Sequence, residues 1–259
     1  MGETMTTTRS ASHRGAYALA FAALCAVLVA ATAISSAGAS TAKVIGHTKH
    51  TPGATCPNAK HPKKCNVIGR VTGFMTVADG KQHPFRVEQD GKLVAWAVDL
   101  GRPTDKHGLN ERTYFGTLFE NKQFGSQPTG RIAVLKHKNG VSYKLLRQSP
   151  VVGLGNVLGR KQIFTLNKPL PVRKGSIVAF TSPTWTPNFT DIHLTNQDNK
   201  WRGSRKKDNC GPKDPTSDKS KRRFARNSHA HQKVGSIHTY ECRYSGGRLL
   251  YWAYFVPKK

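Results

Sequence analysis

Between Lys200 and Arg226 eleven basic side chains crowd into one stretch: Lys200, Arg202, Arg205, Lys206, Lys207, Lys213, Lys219, Lys221, Arg222, Arg223 and Arg226. Only Asp208, Asp214 and Asp218 oppose them. Cations at this density displace the counterions condensed on a polyanion, so binding through them weakens steeply as salt rises. Gly, Pro, Ser, Asn and Asp interleave the charges, which predicts a long loop over 200–226, tied at one end by Cys210. The competing reading is a solvated insertion whose charge only keeps the chain dispersed. Trp185 offers a second chemistry. It lies in Ser182-Pro183-Thr184-Trp185-Thr186-Pro187, where the prolines would hold an indole ready to stack on a sugar ring, an analogy at the level of fold alone. The plainer expectation is that Trp185 closes the open end of a core.

Other reactive residue types do not assemble into a motif. His229 and His231 form H-x-H, which in extended chain puts both rings on one side, but two ligands without a carboxylate cluster do not make a metal site. No metal and no cofactor is therefore expected. Gly153, Gly155 and Gly159 lack the Lys-Ser or Lys-Thr that a phosphate-binding loop requires. There is no G-x-S-x-G for a serine hydrolase. Asp99, Asp105, Glu111, Glu120 or Asp191 could supply paired carboxylates for glycoside cleavage, yet no spacing nominates a pair. Asn188-Phe189-Thr190 is a formal glycosylation sequon.

The N-terminus predicts where any such chemistry takes place. Arg9 and Arg14 precede an apolar run from Ala16 to Ala33, and Ala37-Gly38-Ala39 follows. This is the pattern of an export leader over 1–39 with an A-x-A cleavage site. The rival is a retained anchor, for which about eighteen residues are barely enough. Cleavage would remove Cys25 and leave Cys56, Cys65, Cys210 and Cys242. Four cysteines allow three connectivities, of which Cys56–Cys65 with Cys210–Cys242 is favoured by proximity. Zinc is the alternative, and the spacing lacks any C-x-x-C.

The formal net charge of +27, from 41 Lys and Arg against 14 Asp and Glu, implies attraction to anionic surfaces and repulsion between copies. Outside a cell the candidate partners are acidic cell-wall polymers, acidic glycans and phospholipid, with nucleic acid less favoured. The same repulsion predicts a monomer.

Short strands must position these residues. Asn66–Val77 ends at Asp79-Gly80, and Lys92–Leu100 alternates so fully on both faces that it reads as a buried central strand. Asp90-Gly91 before it predicts a hairpin. Arg131–Lys138 and Ser142–Gln148 flank Asn139-Gly140, the strongest hairpin signal in the chain. Further strands are expected at Gln162–Leu166, Ser176–Ser182, Ile192–Leu194, Gly235–Tyr244 and Arg248–Val256, the last two facing each other across Ser245-Gly246-Gly247. Tyr114, Phe115, Leu118 and Phe119 have helical spacing, so one short helix or a structured loop is expected over Glu111–Phe119. Residues 40–65 are poor in apolar side chains and read as a flexible arm with a small disulfide loop. Eight to ten strands with almost no helix predict an all-β fold, a β-sandwich of jelly-roll type, over 66–259.

The stretches GRVTGFMTV, DGKLVAWAVDLG, RIAVLK, YKLLRQSPVV, LPVRKGSIVAFTSPTWTP and ECRYSGGRLLYWAYFVP resemble a group of secreted actinobacterial β-sandwich proteins with no established activity. The resemblance covers about residues 66–259 and implies fold and compartment; it carries no catalytic residues. The expectation is a secreted, non-catalytic sandwich, at the cell surface or free, that binds anionic polymers or surfaces through its basic loop. The alternative is an extracellular polysaccharide hydrolase or lyase on the same fold.

Overall fold

Period-two alternation makes strands of most of this chain. The computed structural model describes residues 41–50, 52–56, 66–103, 124–125, 127–191 and 194–259, all within one compact unit, Ser40–Lys259. The leader, the helix or structured loop expected at Glu111–Phe119, Cys65 and most of the strand expected at Ile192–Leu194 lie outside the described residues.

Two dipeptide turn signals join paired strands, and at Asn139-Gly140 the predicted hairpin forms. Asp79-Gly80 joins β2 (Ile68–Ala78) to β3 (Lys81–Gln82), with φ of +48° and +74° at the two turn residues, the left-handed pair such a turn requires. Asn139-Gly140 joins β5 (Thr129–His137) to β6 (Ser142–Gln148), which pair antiparallel with Leu135 opposite Leu145 and His137 opposite Tyr143.

The larger sheet runs from β12 (Ile237–Thr239) through β6, β5, β9 (Ile177–Thr186), β2 and β11 (Lys200–Gly203) to β13 (Cys242–Ser245). Strand β3 adds to β2, and β7 (Val152–Gly153) adds to β5. The smaller sheet has the order β1 (Lys43–Ile45), β15 (Tyr251–Pro257), β4 (Gly91–Asp99), β8 (Lys161–Val172). A two-stranded ladder pairs β10 (Phe189–Thr190) with β14 (Arg248–Leu249). Every ladder is antiparallel. The fold is thus an antiparallel β-sandwich. Its two sheets are unequal, which the even division of an eight-stranded jelly roll does not anticipate.

The core fills the space between the sheets. Val71, Met75, Ile132, Val134, Val178 and Phe180 project from the larger one and meet Leu93, Trp96, Val98, Tyr251, Ala253 and Phe255 from the smaller. Because neighbours along a strand point to opposite faces, Phe74 leaves this core. It joins a second buried cluster with Ala133, Leu135, Tyr143, Leu145, Ala179 and Tyr240, on the other face of the larger sheet.

Four expectations are corrected. Asp90-Gly91 is not a hairpin: the preceding segment bonds to the larger sheet, through Arg86 opposite Ile177 and Val87 N–H to Ser176 O, whereas β4 enters the smaller one. Ser245-Gly246-Gly247 likewise carries the chain between sheets, since β13 pairs β11 while β15 pairs β4 and β1. A strand apolar on both faces gains more between two neighbours than at a sheet edge. In β4 a register shift between Leu93 and Ala95 puts Leu93 in the core with Trp96, so the simple alternation fails there. Finally, the described part of 40–65 is not a loose arm. Strand β1 pairs β15, and Thr48, Thr55 and Cys56 are buried. Buried Arg248 fastens this segment, donating to His50 O at 2.7 Å, Thr48 Oγ1 at 2.6 Å and Asp79 Oδ2 at 2.8 Å. Among the described residues no helix is long and apolar enough to cross a membrane.

Candidate anion-binding surface

The basic segment is not the long loop its composition predicts. It opens with strand β11, passes a single 3-10 turn at Lys207–Asn209, and closes with helix α1 (Asp218–Asn227). Ser217 caps the helix, its Oγ accepting from Ser220 N–H, and Asp218 complements the positive end of the helix dipole. Phe224 and Ala225 bury the inner face against Trp185, Phe124, Val67 and Cys56. The signal was present in the sequence: Ser217-Asp218 followed by a run without Gly or Pro and an apolar pair at its inner face. The surrounding Gly and Pro outweighed it.

This fold sorts the eleven cations. Lys219, Arg223 and Arg226 are exposed and Arg222 is half-buried; at spacings of three, four and seven they share the outer face of α1. Lys206, Lys207 and Lys213 are exposed on the connection before it. Two residues leave the set. Arg205 is 8% exposed; its guanidinium donates to Gly69 O and, at 3.0 Å, to Tyr244 Oη, and lies 4.8 Å over the Phe224 ring. It clamps α1 to the sheet. Lys221 is also buried and bonds Asp218 at 3.2 Å. Among the described residues the only other salt bridge is Arg248–Asp79, so none of the outer cations forms an ion pair there.

Lys200 and Arg202 lie elsewhere, on the outer face of the larger sheet. Trp201 between them points into the core, so its neighbours face away. Arg202 stands directly opposite Arg243 of β13 and Phe74 of β2. Its Nη1 donates to Tyr240 O at 2.8 Å, and burial, then Arg243 beside it, hold its pKa below the usual arginine value. These residues line a groove of about 610 Å³ that also includes Arg86, His83, His137 and Tyr143. No carboxylate lines it among the described residues. Burial pushes the Tyr143 hydroxyl pKa up. Sequence reasoning missed Arg243, Arg86 and Tyr143 because they come from segments remote from one another in the chain; alternation within Glu241–Tyr244 was the one local hint.

The remaining candidates separate. Trp185 is 5% exposed, and its packing among Phe124, Phe224 and Val67 leaves no open ring face for a sugar. His229 is exposed while His231 is fully buried, so the two do not act together. His231 bonds Tyr240 Oη at 3.1 Å and Ser236 Oγ at 3.0 Å and stacks on His238 at 4.3 Å. Burial, followed by the neighbouring His238, lowers its pKa to about 4. Among the described residues no group of three or more His, Cys, Asp or Glu gathers to hold a metal. Asp191 accepts from Asn66 Nδ2 at 2.8 Å, and burial raises the Asp99 pKa against the opposing pull of Lys161.

Cys210 and Cys242 form a disulfide with Cα atoms 5.2 Å apart, joining the basic segment to β13. Cys56 is disulfide-bonded as well. A comparison of the chain with protein-family models, curated proteins and solved structures returns no match.

Proposed function

We propose that this is an exported, non-catalytic protein that binds anionic polymers or surfaces outside the cell, such as acidic wall polymers, acidic glycans or phospholipid. The observation that carries the reading is the outer face of α1. Lys219, Arg222, Arg223 and Arg226 line it without carboxylate partners among the described residues, on a helix pinned by the Arg205 clamp and the Phe224 contact. A rigid cationic face loses little conformational freedom on binding, so more of the electrostatic gain appears as affinity. The Cys210–Cys242 bond supports an oxidising compartment. Export by the 1–39 leader, and the likeness to secreted actinobacterial sandwich proteins, belong to the same proposal.

The test is binding to immobilised heparin, teichoic acid and anionic vesicles across a salt series. Replacing Arg222, Arg223 and Arg226 together by Gln is expected to weaken binding at low salt. It should also flatten the plot of log affinity against log salt by about 2–3, at roughly 0.7–0.9 per lost contact. Binding that ignores salt, or survives the triple replacement with its slope intact, refutes the assignment.

A further inference from the structure

We infer that the groove on the outer face of the larger sheet is a recognition site for a single chain of acidic sugars, with Arg202 and Arg243 at its head. This rests on the anionic-polymer reading and adds a second, more selective surface to it. Like charges directly opposite on adjacent strands are destabilising, and Arg202 and Arg243 are such a pair. Among the described residues no carboxylate lines the groove, and the Arg243 side chain makes no hydrogen bond or salt bridge. Arg202 is also half-desolvated and held in place by its bond to Tyr240 O. A fixed guanidinium beside a free one is an arrangement that a carboxylate or sulfate would satisfy with charge-assisted hydrogen bonds.

The shape argues for a chain, where a lone ion would need only the arginine pair. The groove crosses the strands, from Tyr143 on β6, past β5, β9 and β2, to Arg202 on β11 and Arg243 on β13. Five inter-strand steps of about 4.8 Å give a length of about 24 Å, room for several monomers. Lys200 and Arg86 supply further cations along it. His83 and His137, both exposed, add imidazole rings among the charges, and His137 packs against Tyr143 at 5.2 Å. Cations interleaved with aromatic rings suit a pyranose bearing an acid group better than a bare phosphate chain, which offers no apolar face.

The experiment titrates the purified protein at fixed salt with three probes of matched charge: oligogalacturonate, a heparin-derived oligosaccharide and linear polyphosphate. Arg243→Gln is compared with the triple Gln replacement on α1, and Arg86→Gln serves as a second groove variant. Arg243→Gln is expected to weaken one of the sugar probes about tenfold, consistent with loss of a hydrogen bond to a charged group. It should leave the Tm of the free protein unchanged or higher, because it removes repulsion; a purely structural arginine would lower the Tm. The carboxylated and sulfated probes tell which acid group is preferred. The groove assignment falls if both groove variants bind the sugar probes as well as the natural protein, if the Tm drops with the affinity, or if polyphosphate competes equally. Polyanion binding lost only in the α1 variant overturns the groove and leaves the proposed function standing. No binding of any probe at low salt overturns both.

Discussion

His231 is the residue whose surroundings most constrain the protein's response to pH. Its ring is enclosed by Tyr240, Ser236 and the stacked His238, and its backbone N–H donates to Thr72 Oγ1 at 3.0 Å. The folded-state pKa near 4 lies below the usual imidazole value of 6.5, so between those values the unfolded chain binds a proton that the folded chain refuses. Stability therefore rises with pH across that window and is lost as pH falls through it. His238 is shifted the same way. At about 1.4 kcal/mol per pKa unit, the expected loss from this ring between pH 7 and 4.5 is on the order of 2 kcal/mol. Denaturant melts at both pH values check it. His231→Gln should narrow the difference between them; an unchanged difference would mean that the ring is not neutral when folded. The backbone position within H-x-H was legible in the sequence, but the burial was not, because Thr72 and Tyr240 come from distant parts of the chain.

At the scale of an element, α1 shows how a charged sequence becomes a helix. Its mean composition is strongly polar, and only Phe224 and Ala225 supply an apolar contact. Isolated helices of this length are marginal in water, so docking must supply most of the stability. Phe224 meets Phe124 edge-on at 6.4 Å and carries the Arg205 guanidinium on its other contact. Phe224→Ala is therefore expected to cost about 3 kcal/mol and to raise amide exchange across Asp218–Asn227 before the sheets are affected. Uniform exchange throughout the chain would show instead that helix and sandwich unfold as one. Strand β4 teaches the same lesson from the other side: its apolar character was plain in the sequence, while the register shift that turns Leu93 toward the core depends on the β8 partner.

For the whole molecule, charge and covalent closure oppose each other. A net charge of +27 favours expansion through self-repulsion, and the Cys210–Cys242 bond, which spans 32 residues, restricts the unfolded ensemble at the most basic part of the chain. On the loop-entropy model this closure contributes roughly 3–4 kcal/mol. Replacing both cysteines by Ser should lower the unfolding midpoint accordingly, with the greater loss at low ionic strength, where repulsion among the segment's cations is least screened. A loss that does not depend on salt would separate the bond from the charge.

The sequence by itself determined the all-β class, the turn at Asp79-Gly80, the hairpin at Asn139-Gly140 and the concentration of charge at 200–226, because each depends on spacing along the chain, and proximity favoured the Cys210–Cys242 pairing among three. Tertiary structure alone decided which cations face outward, which one clamps α1, and that Arg202 meets Arg243 across two strands. Those outcomes depend on partners remote in sequence: Gly69 and Tyr244 for Arg205, Phe124 and Trp185 for Phe224, β13 for β11. Local pattern sets the period of a strand, but which strand lies beside it is chosen by the free energy of burying both faces together.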